Sequence, residues 1–203
     1  MKSGRRLWLG AGIAGLMLLG GCAHRVLVQP VLDLTQYNRV AVLPFETDSY
    51  LSTVGNQMAD EIVVQLISHA PAIDVVERTR IDALLREQNL SRDHLVTPES
   101  AVAVGRMLGV KIILTGSLSV AIGDIRPSPG NAQRVATGTA TARLIDTETG
   151  KIIWGGREES QYSTFLGEGM YSVHTDQEMV AYVVRDLGKQ LAEVFYPHYE
   201  LEF

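Results

Sequence analysis

The chain has 203 residues, of which 46% are hydrophobic, and this is enough apolar mass for the core of one ordinary domain. A single cysteine excludes a disulfide framework. Basic residues number 18 and acidic residues 23, and the resulting net charge of −5 argues against nucleic acid as a partner.

The N-terminus has the three parts of a secretory signal peptide. Basic residues at positions 2–6 precede an apolar run over 7–19, and the small pair Gly20–Gly21 comes directly before Cys22. The apolar run is shorter than the roughly 20 residues that a helix needs to span a bilayer. We therefore predict a removable lipoprotein signal peptide over residues 1–21 rather than a permanent transmembrane helix.

The tetrapeptide Leu19-Gly20-Gly21-Cys22 resembles the lipobox of bacterial lipoproteins. That resemblance implies a diacylglycerol group on the Cys22 thiol, signal-peptidase cleavage between Gly21 and Cys22, and an N-acyl chain on the new terminus. Two or three acyl chains anchor a protein stably where one chain does not. Such lipoproteins stay at the inner membrane when Asp follows the cysteine. Because Ala23 stands there, the resemblance implies the periplasmic face of the outer membrane.

The segment 22–37 is mixed in character and contains Pro30, so we predict a lipidated tether that leads into a periplasmic domain over residues 38–203. Short apolar runs and amphipathic segments then alternate along the chain. The first predicted elements are a strand over 39–45, a helix over 54–69 with Met58, Ile62, Val63, Leu66 and Ile67 on its apolar face, a strand over 73–78, and a helix that begins with a capping box over Thr79–Asp82.

Strand patterns dominate the second half of the chain. Small residues at alternate positions from Ala136 to Ala142 predict a sheet face on which a helix packs closely. The further predicted elements are a helix that begins at Thr97-Pro98-Glu99, strands over 111–122 and 135–145, a turn over 146–150, a returning strand from Lys151, and a helix over 176–195 capped by Thr175 and Glu178.

This order of elements predicts an α/β (α+β) sandwich. Its centre is a mixed β-sheet with helices packed on it, followed by an antiparallel hairpin in the C-terminal half and a long C-terminal helix. Trp154 lies in an apolar strand, and we predict that it belongs to the core rather than to a partner interface.

No set of residues in the sequence has the spacing of an active site. The five histidines are scattered, no serine lies in a G-x-S-x-G motif, and the only cysteine is the lipidation site. The acidic pairs Asp60-Glu61 and Glu158-Glu159 are neighbours whose side chains diverge, so we predict that they lie on the surface. We expect a non-enzymatic protein that binds no metal. Its only expected non-protein group is the covalent lipid on Cys22.

Five segments of the periplasmic part carry a resemblance to a known family: Val40–Phe45, Val75–Arg78, Leu84–Gln88, Leu108–Gly116 and Leu144–Trp154. Through them this part resembles the curli secretion channel lipoprotein (CsgG-like) family. The resemblance implies a non-enzymatic outer-membrane lipoprotein that forms homo-oligomers and acts with envelope proteins in assembly or secretion. The same core is similar to the lipoprotein that activates a penicillin-binding protein and to the N-terminal domain of the periplasmic Tol protein (TolB).

The secretion channels of that family build a β-barrel pore from two extended hairpins per subunit. A membrane hairpin needs on the order of 22–25 residues beyond the body sheet. The insertions over 121–134 and 160–175 have 14 and 16 residues, and the first carries Asp124 and Arg126 near its tip. We therefore expect an oligomeric assembly or secretion component. The alternatives are a true pore subunit and an activator of a peptidoglycan synthase, although the short tether argues against the activator.

Overall fold

The computed structural model describes residues 24–47, 52–88, 98–128, 131–166 and 174–202. The predicted alternation of strands and helices is confirmed, and a further pair of strands joins the two termini. The elements are β1 His24–Val28, β2 Arg39–Val42, α1 Ser52–His69, β3 Asp74–Val75, α2 Arg78–Glu87, α3 Pro98–Leu108, β4 Ile112–Ser128, β5 Asn131–Asp146, β6 Ile152–Leu166, α4 Asp176–Glu193 and β7 His198–Glu202.

The main sheet has five strands in the order β3-β2-β4-β5-β6. The strands β3, β2 and β4 are parallel, because the chain returns through a helix between one strand and the next. The strands β4, β5 and β6 form antiparallel hairpins. The turn between β5 and β6 is tight, since Asp146 accepts the amide protons of Glu148 and Thr149 and Gly150 takes a positive φ of 73°. The predicted sandwich with a mixed sheet is therefore confirmed.

Helices cover the sheet from both sides. The helices α1 and α4 pack on one face, where Met58, Ile62 and Leu187 are fully buried. On the other face the helices α2 and α3 cover only the end of the sheet that contains Ile113 and Ile145, through Ile81 and Val104. Within the described residues, the strands beyond the paired residues Ser117, Thr141 and Arg157 have a helix on one side alone, and we call this the upper part of the sheet.

The predicted small face of β5 lies directly under α4. A Cβ atom added to Gly138 would stand 2.4 Å from Val183 Cγ1 and 3.0 Å from Leu187 Cδ1. Ala136 and Ala140 on either side of this glycine are fully buried. The absence of a side chain at Gly138 therefore sets how closely α4 approaches the sheet.

Several local predictions need correction. Thr79 does not cap its helix, because α2 already begins at Arg78 with Glu77 as its N-cap and without a side-chain cap. The spacing of α1 predicts Ile67 on the buried face, but Ile67 is 57% exposed, because it lies at the margin of that face.

The capping box of Thr175 and Glu178 at the start of α4 is confirmed. Trp154 packs against the core edge-to-face with Phe195, at 4.9 Å between ring centroids.

The segment predicted as a tether has defined structure. Its residues 24–28 form β1, which pairs antiparallel with β7, and Asp33 caps a 3-10 helix over Leu34–Tyr37. The amide of Val31 donates a 2.8 Å hydrogen bond to the carbonyl of Val194 at the end of α4. The N-terminal segment is therefore attached to the C-terminal end of the domain.

Candidate assembly surface

The upper part of the sheet is a three-stranded antiparallel unit. Its strands β4, β5 and β6 have 17, 16 and 15 residues and are paired almost along their whole length, with register shifts near Ile125 and Leu144. The first predicted insertion, 121–134, continues these strands. Its pairing is regular as far as Ile125 with Gln133, and after a register shift Ser128 pairs with Asn131. The second begins as strand as far as Leu166, and its remaining residues up to 173 lie outside the described residues.

The uncovered face of this unit is polar. We call it the open face, and it carries short hydroxyl side chains that lie opposite one another in register, such as Ser117 with Thr141 and Ser119 with Thr139. The hydroxyls of Ser117 and Thr141 are 2.7 Å apart and form a hydrogen bond. Rows of hydroxyls and a shallow depression beside Glu46 make this face unsuited to contact with lipid chains.

The tip of the unit carries two exposed apolar side chains. In the ladder Ile125 lies opposite Gln133 and Gln133 lies opposite Phe165, so both apolar side chains share the open face. Ile125 is 46% exposed and Phe165 is 68% exposed. The sequence prediction drew attention to Asp124 and Arg126 at the tip and missed this pair. Continuing the two-residue alternation of β6 beyond Ser160 would have found Phe165.

β6 forms the long edge of the sheet. In the described part of the chain the sheet ends at β6, and side chains along the strand alternate between half-buried and exposed positions. The opposite edge, β3, has only two residues. An edge strand presents a row of backbone donors and acceptors to solvent, which makes β6 a template for pairing with another chain.

An arginine joins the hairpin to the start of α4. Arg134 Nε and Nη2 donate to the two carboxylate oxygens of Asp176 at 2.6 and 2.8 Å, and Arg134 Nη1 donates to Asp124 at 3.0 Å. The hydrogen bonds from Arg134 lower the pKa of Asp176, and bonds from Thr175 lower the pKa of Glu178. We call the three side chains of Arg134, Asp124 and Asp176 the clasp. It holds the hairpin against the first turn of α4.

An aromatic cluster lies beside the clasp. The rings of Tyr162 on β6 and Tyr182 on α4 are stacked at 4.6 Å, and His174 meets both edge-on at 5.7 and 5.8 Å. The guanidinium of Arg185 lies 5.8 Å from the centre of the Tyr182 ring. Tyr182 remains 43% exposed, so the cluster adds an aromatic and cationic patch next to the edge strand.

Acid is expected to loosen the first turn of α4. Because the pKa values of Asp176 and Glu178 are lowered in the folded protein, both carboxylates stabilise the fold above the ordinary carboxylate range. That stabilisation is lost as the pH falls through the lowered values. Hydrogen exchange of the amides in this turn should accelerate under acid, and Asp176→Asn should show part of the acceleration already at neutral pH. An exchange rate independent of pH and of this substitution, after correction for intrinsic rates, would contradict the role of the clasp.

The residues predicted for lipidation and cleavage, Cys22 and Gly21, lie outside the described residues. The two side chains of each predicted acidic pair have different surroundings. Glu159 pairs with Arg157 at 2.8 Å, whereas burial raises the pKa of Glu158. Asp60 pairs with Arg78 at 2.9 Å while Glu61 accepts a hydrogen bond from Gln65. Within the ranges that the structure describes, no three His, Cys, Asp or Glu side chains are grouped as metal ligands would be. No helix in those ranges combines the length and apolar character that crossing a membrane requires.

The chain is similar to several solved structures. The C-terminal domain of LpoB from Salmonella enterica has 20% identity and a TM-score of 0.43, covering 61% of this chain and 82% of that chain. Lipoprotein GNA1162 from Neisseria meningitidis has 18% identity and a TM-score of 0.45, covering 76% and 98%. The PelC dodecamer from Paraburkholderia phytofirmans has 14% identity and a TM-score of 0.44, covering 85% and 95%.

No curated protein matches the chain in sequence. A family profile does match. It is described as "Curli production assembly/transport component CsgG", and it aligns with residues 23–164, which include the whole first hairpin and the main sheet except the last two residues of β6.

Proposed function

Because the chain belongs to the CsgG family of curli production assembly/transport components, we propose that it is a lipid-anchored subunit of an assembly or secretion complex at the outer membrane. The subunit is non-catalytic, faces the periplasm and is held by acyl chains on Cys22. Copies of it associate with one another and with envelope proteins. The observation that carries the proposal is the long edge strand β6 within a sheet of this family.

The edge strand offers a mechanism for association between copies. A second chain that pairs with β6 would satisfy backbone groups along a strand of 15 residues. The exposed side chains of Gln161 and Ser163 on the open face flank such a pairing, and the aromatic cluster around Tyr182 lies on the opposite side of the sheet. Main-chain hydrogen bonds would supply affinity while these side chains select the partner.

The same features weigh against the two alternatives. A membrane pore needs an apolar outward face on its hairpins, whereas the open face of β4 and β5 is lined by hydroxyls such as Ser119 and Thr139. An activator of a peptidoglycan synthase needs reach across the periplasm. Only Ala23 separates Cys22 from β1, and β1 is already paired with the C-terminal strand.

Charges placed on β6 are expected to weaken association between copies. The double variant Gln161→Lys and Ser163→Lys puts two cations on the edge strand, and lysines on an edge strand oppose pairing with another strand, so a roughly tenfold weaker association is expected. Thr137→Lys is the matched control, because Thr137 lies opposite Gln161 on the same face of the central strand β5. Analytical ultracentrifugation of detergent-extracted protein measures the effect. Equal loss in both variants would place the contact on the open face, and no loss in the double variant would contradict the β6 interface.

A further inference from the structure

The strands β1 and β7 form a two-stranded ribbon apart from the main sheet. Their register places Leu27 opposite Tyr199, and Arg25 lies two residues before Leu27 on the same face. This outward face is exposed, with Leu27 at 46% and Tyr199 at 68%, and Val31 just beyond the ribbon at 71%. The other face holds Val26 and Val28, which are less exposed.

Charge is divided between the two faces of the ribbon. In a chain whose net charge is −5, the described side chains of the outward face are one arginine, one leucine and one tyrosine. The carboxylate of Glu200 belongs to the other face, opposite Val26, and accepts from His198 at 3.1 Å. A surface that pairs apolar groups with a cation, and keeps carboxylates away, suits a phospholipid headgroup layer.

The position of the ribbon along the chain also favours a phospholipid layer as the partner of the outward face. Cys22 lies five residues before Leu27, and five extended residues reach at most about 18 Å. A lipid on the Cys22 sulfur therefore keeps the outward face within that distance of the bilayer surface. Tyrosine is enriched at membrane interfaces because its ring is apolar and its hydroxyl is polar, and arginine binds phosphate.

We propose that the outward face of the β1–β7 ribbon rests on the phospholipid surface to which Cys22 is anchored. The inference rests on the lipidation included in the proposed function. It also sets the orientation of the domain. The ribbon adjoins the end of α4 at Val194, whereas the hairpin adjoins the start of α4 at Asp176. These two ends are about 27 Å apart, so the ribbon and not the hairpin tip is the part nearest to the lipid.

Spin labelling of the full lipidated protein tests this contact. Because acyl chains occupy the only native cysteine, Tyr199→Cys provides a unique free thiol for a nitroxide label. The protein is reconstituted in vesicles of phosphatidylethanolamine and phosphatidylglycerol. We expect the label to lose most of its collisions with a water-soluble nickel reagent and to keep its collisions with oxygen. Leu27→Cys should give the same result, and this second site retains the tyrosine.

Ile125→Cys at the hairpin tip is the matched control, since Ile125 is also 46% exposed and apolar. Its label should remain fully accessible to the nickel reagent. Labels at positions 199 and 27 that stay as accessible as in Cys22→Ser protein would overturn the proposal. Protection of Ile125 instead would also overturn it, because the hairpin would then face the lipid. Spin–spin broadening between labels at position 199 would show a second copy on the ribbon, with the same consequence.

The failure of this inference is distinguishable from the failure of the proposed function. Sedimentation of the unmodified protein with membranes reports anchoring alone. Protein that stays in solution would refute the anchored subunit itself. Protein that sediments but carries water-exposed labels at positions 199 and 27 would refute only the membrane contact of the ribbon.

Discussion

Gly138→Leu is expected to lower the free energy of unfolding by about 3 kcal/mol, which corresponds to roughly 6 to 12 °C in melting temperature. The reason is the direct contact of α4 with the sheet at this position. The first atom of any added side chain would stand 2.4 Å from Val183 Cγ1, and Val183 is fully buried and stiff. The helix must therefore move away from β5, which opens the core between them.

Gly123→Leu is the matched control for this substitution. Gly123 lies in β4 of the same hairpin, and a Cβ atom added there meets no atom within 4 Å. The control variant should melt within a few degrees of the unmodified protein. Thermal unfolding followed by circular dichroism compares the two. If Gly138→Leu melts at the same temperature as the control, then α4 does not pack on β5 as described.

Cys22→Ser is expected to move nearly all of the protein from the membrane fraction to the soluble periplasm, or to block its processing. The diacylglycerol group is attached to the cysteine sulfur, which serine lacks. Each buried methylene of an acyl chain contributes about 0.8 kcal/mol of membrane binding. Fractionation of cells followed by immunoblotting measures the distribution. The expected loss is large because the ribbon alone offers only a few exposed apolar side chains.

Ala23→Asp provides the control for the anchor. It retains the cysteine, so the protein should remain in membranes, and the resemblance to lipoproteins predicts a shift from the outer to the inner membrane. Cys22→Ser protein that is fully processed and still sediments with membranes would contradict lipid anchoring. Attachment would then come from the domain itself.

Periodicity in the sequence was sufficient to predict the main sheet and its helices. The alternation of small residues around Gly138 and the apolar stripe of α4 both result from burial on one face, and burial acts on each residue locally. The turn at Asp146 and the capping box at Thr175 are local as well, because the interacting atoms lie within three residues of each other. Such features depend on neighbours in the chain and can be predicted from a single sequence.

The ribbon could not be predicted in the same way. The pairing of β1 with β7 joins the two ends of the chain, and the pattern over residues 24–28 is too short to indicate a partner so distant in sequence. The cap of α2 was misplaced for a different reason. The helix begins at Arg78, and its N-cap Glu77 makes no side-chain capping bond that a sequence pattern could indicate. The clasp was missed because Arg134 and Asp176 meet only once α4 has packed on the hairpin.

The mass of the complex formed by the lipidated protein shows whether copies associate through β6. The protein is extracted from outer-membrane fractions in mild detergent and measured by native mass spectrometry. We expect one defined species whose mass is a multiple of the lipidated chain, because the edge strand β6 of each copy has a partner. A single species with the mass of one lipidated chain would contradict this expectation.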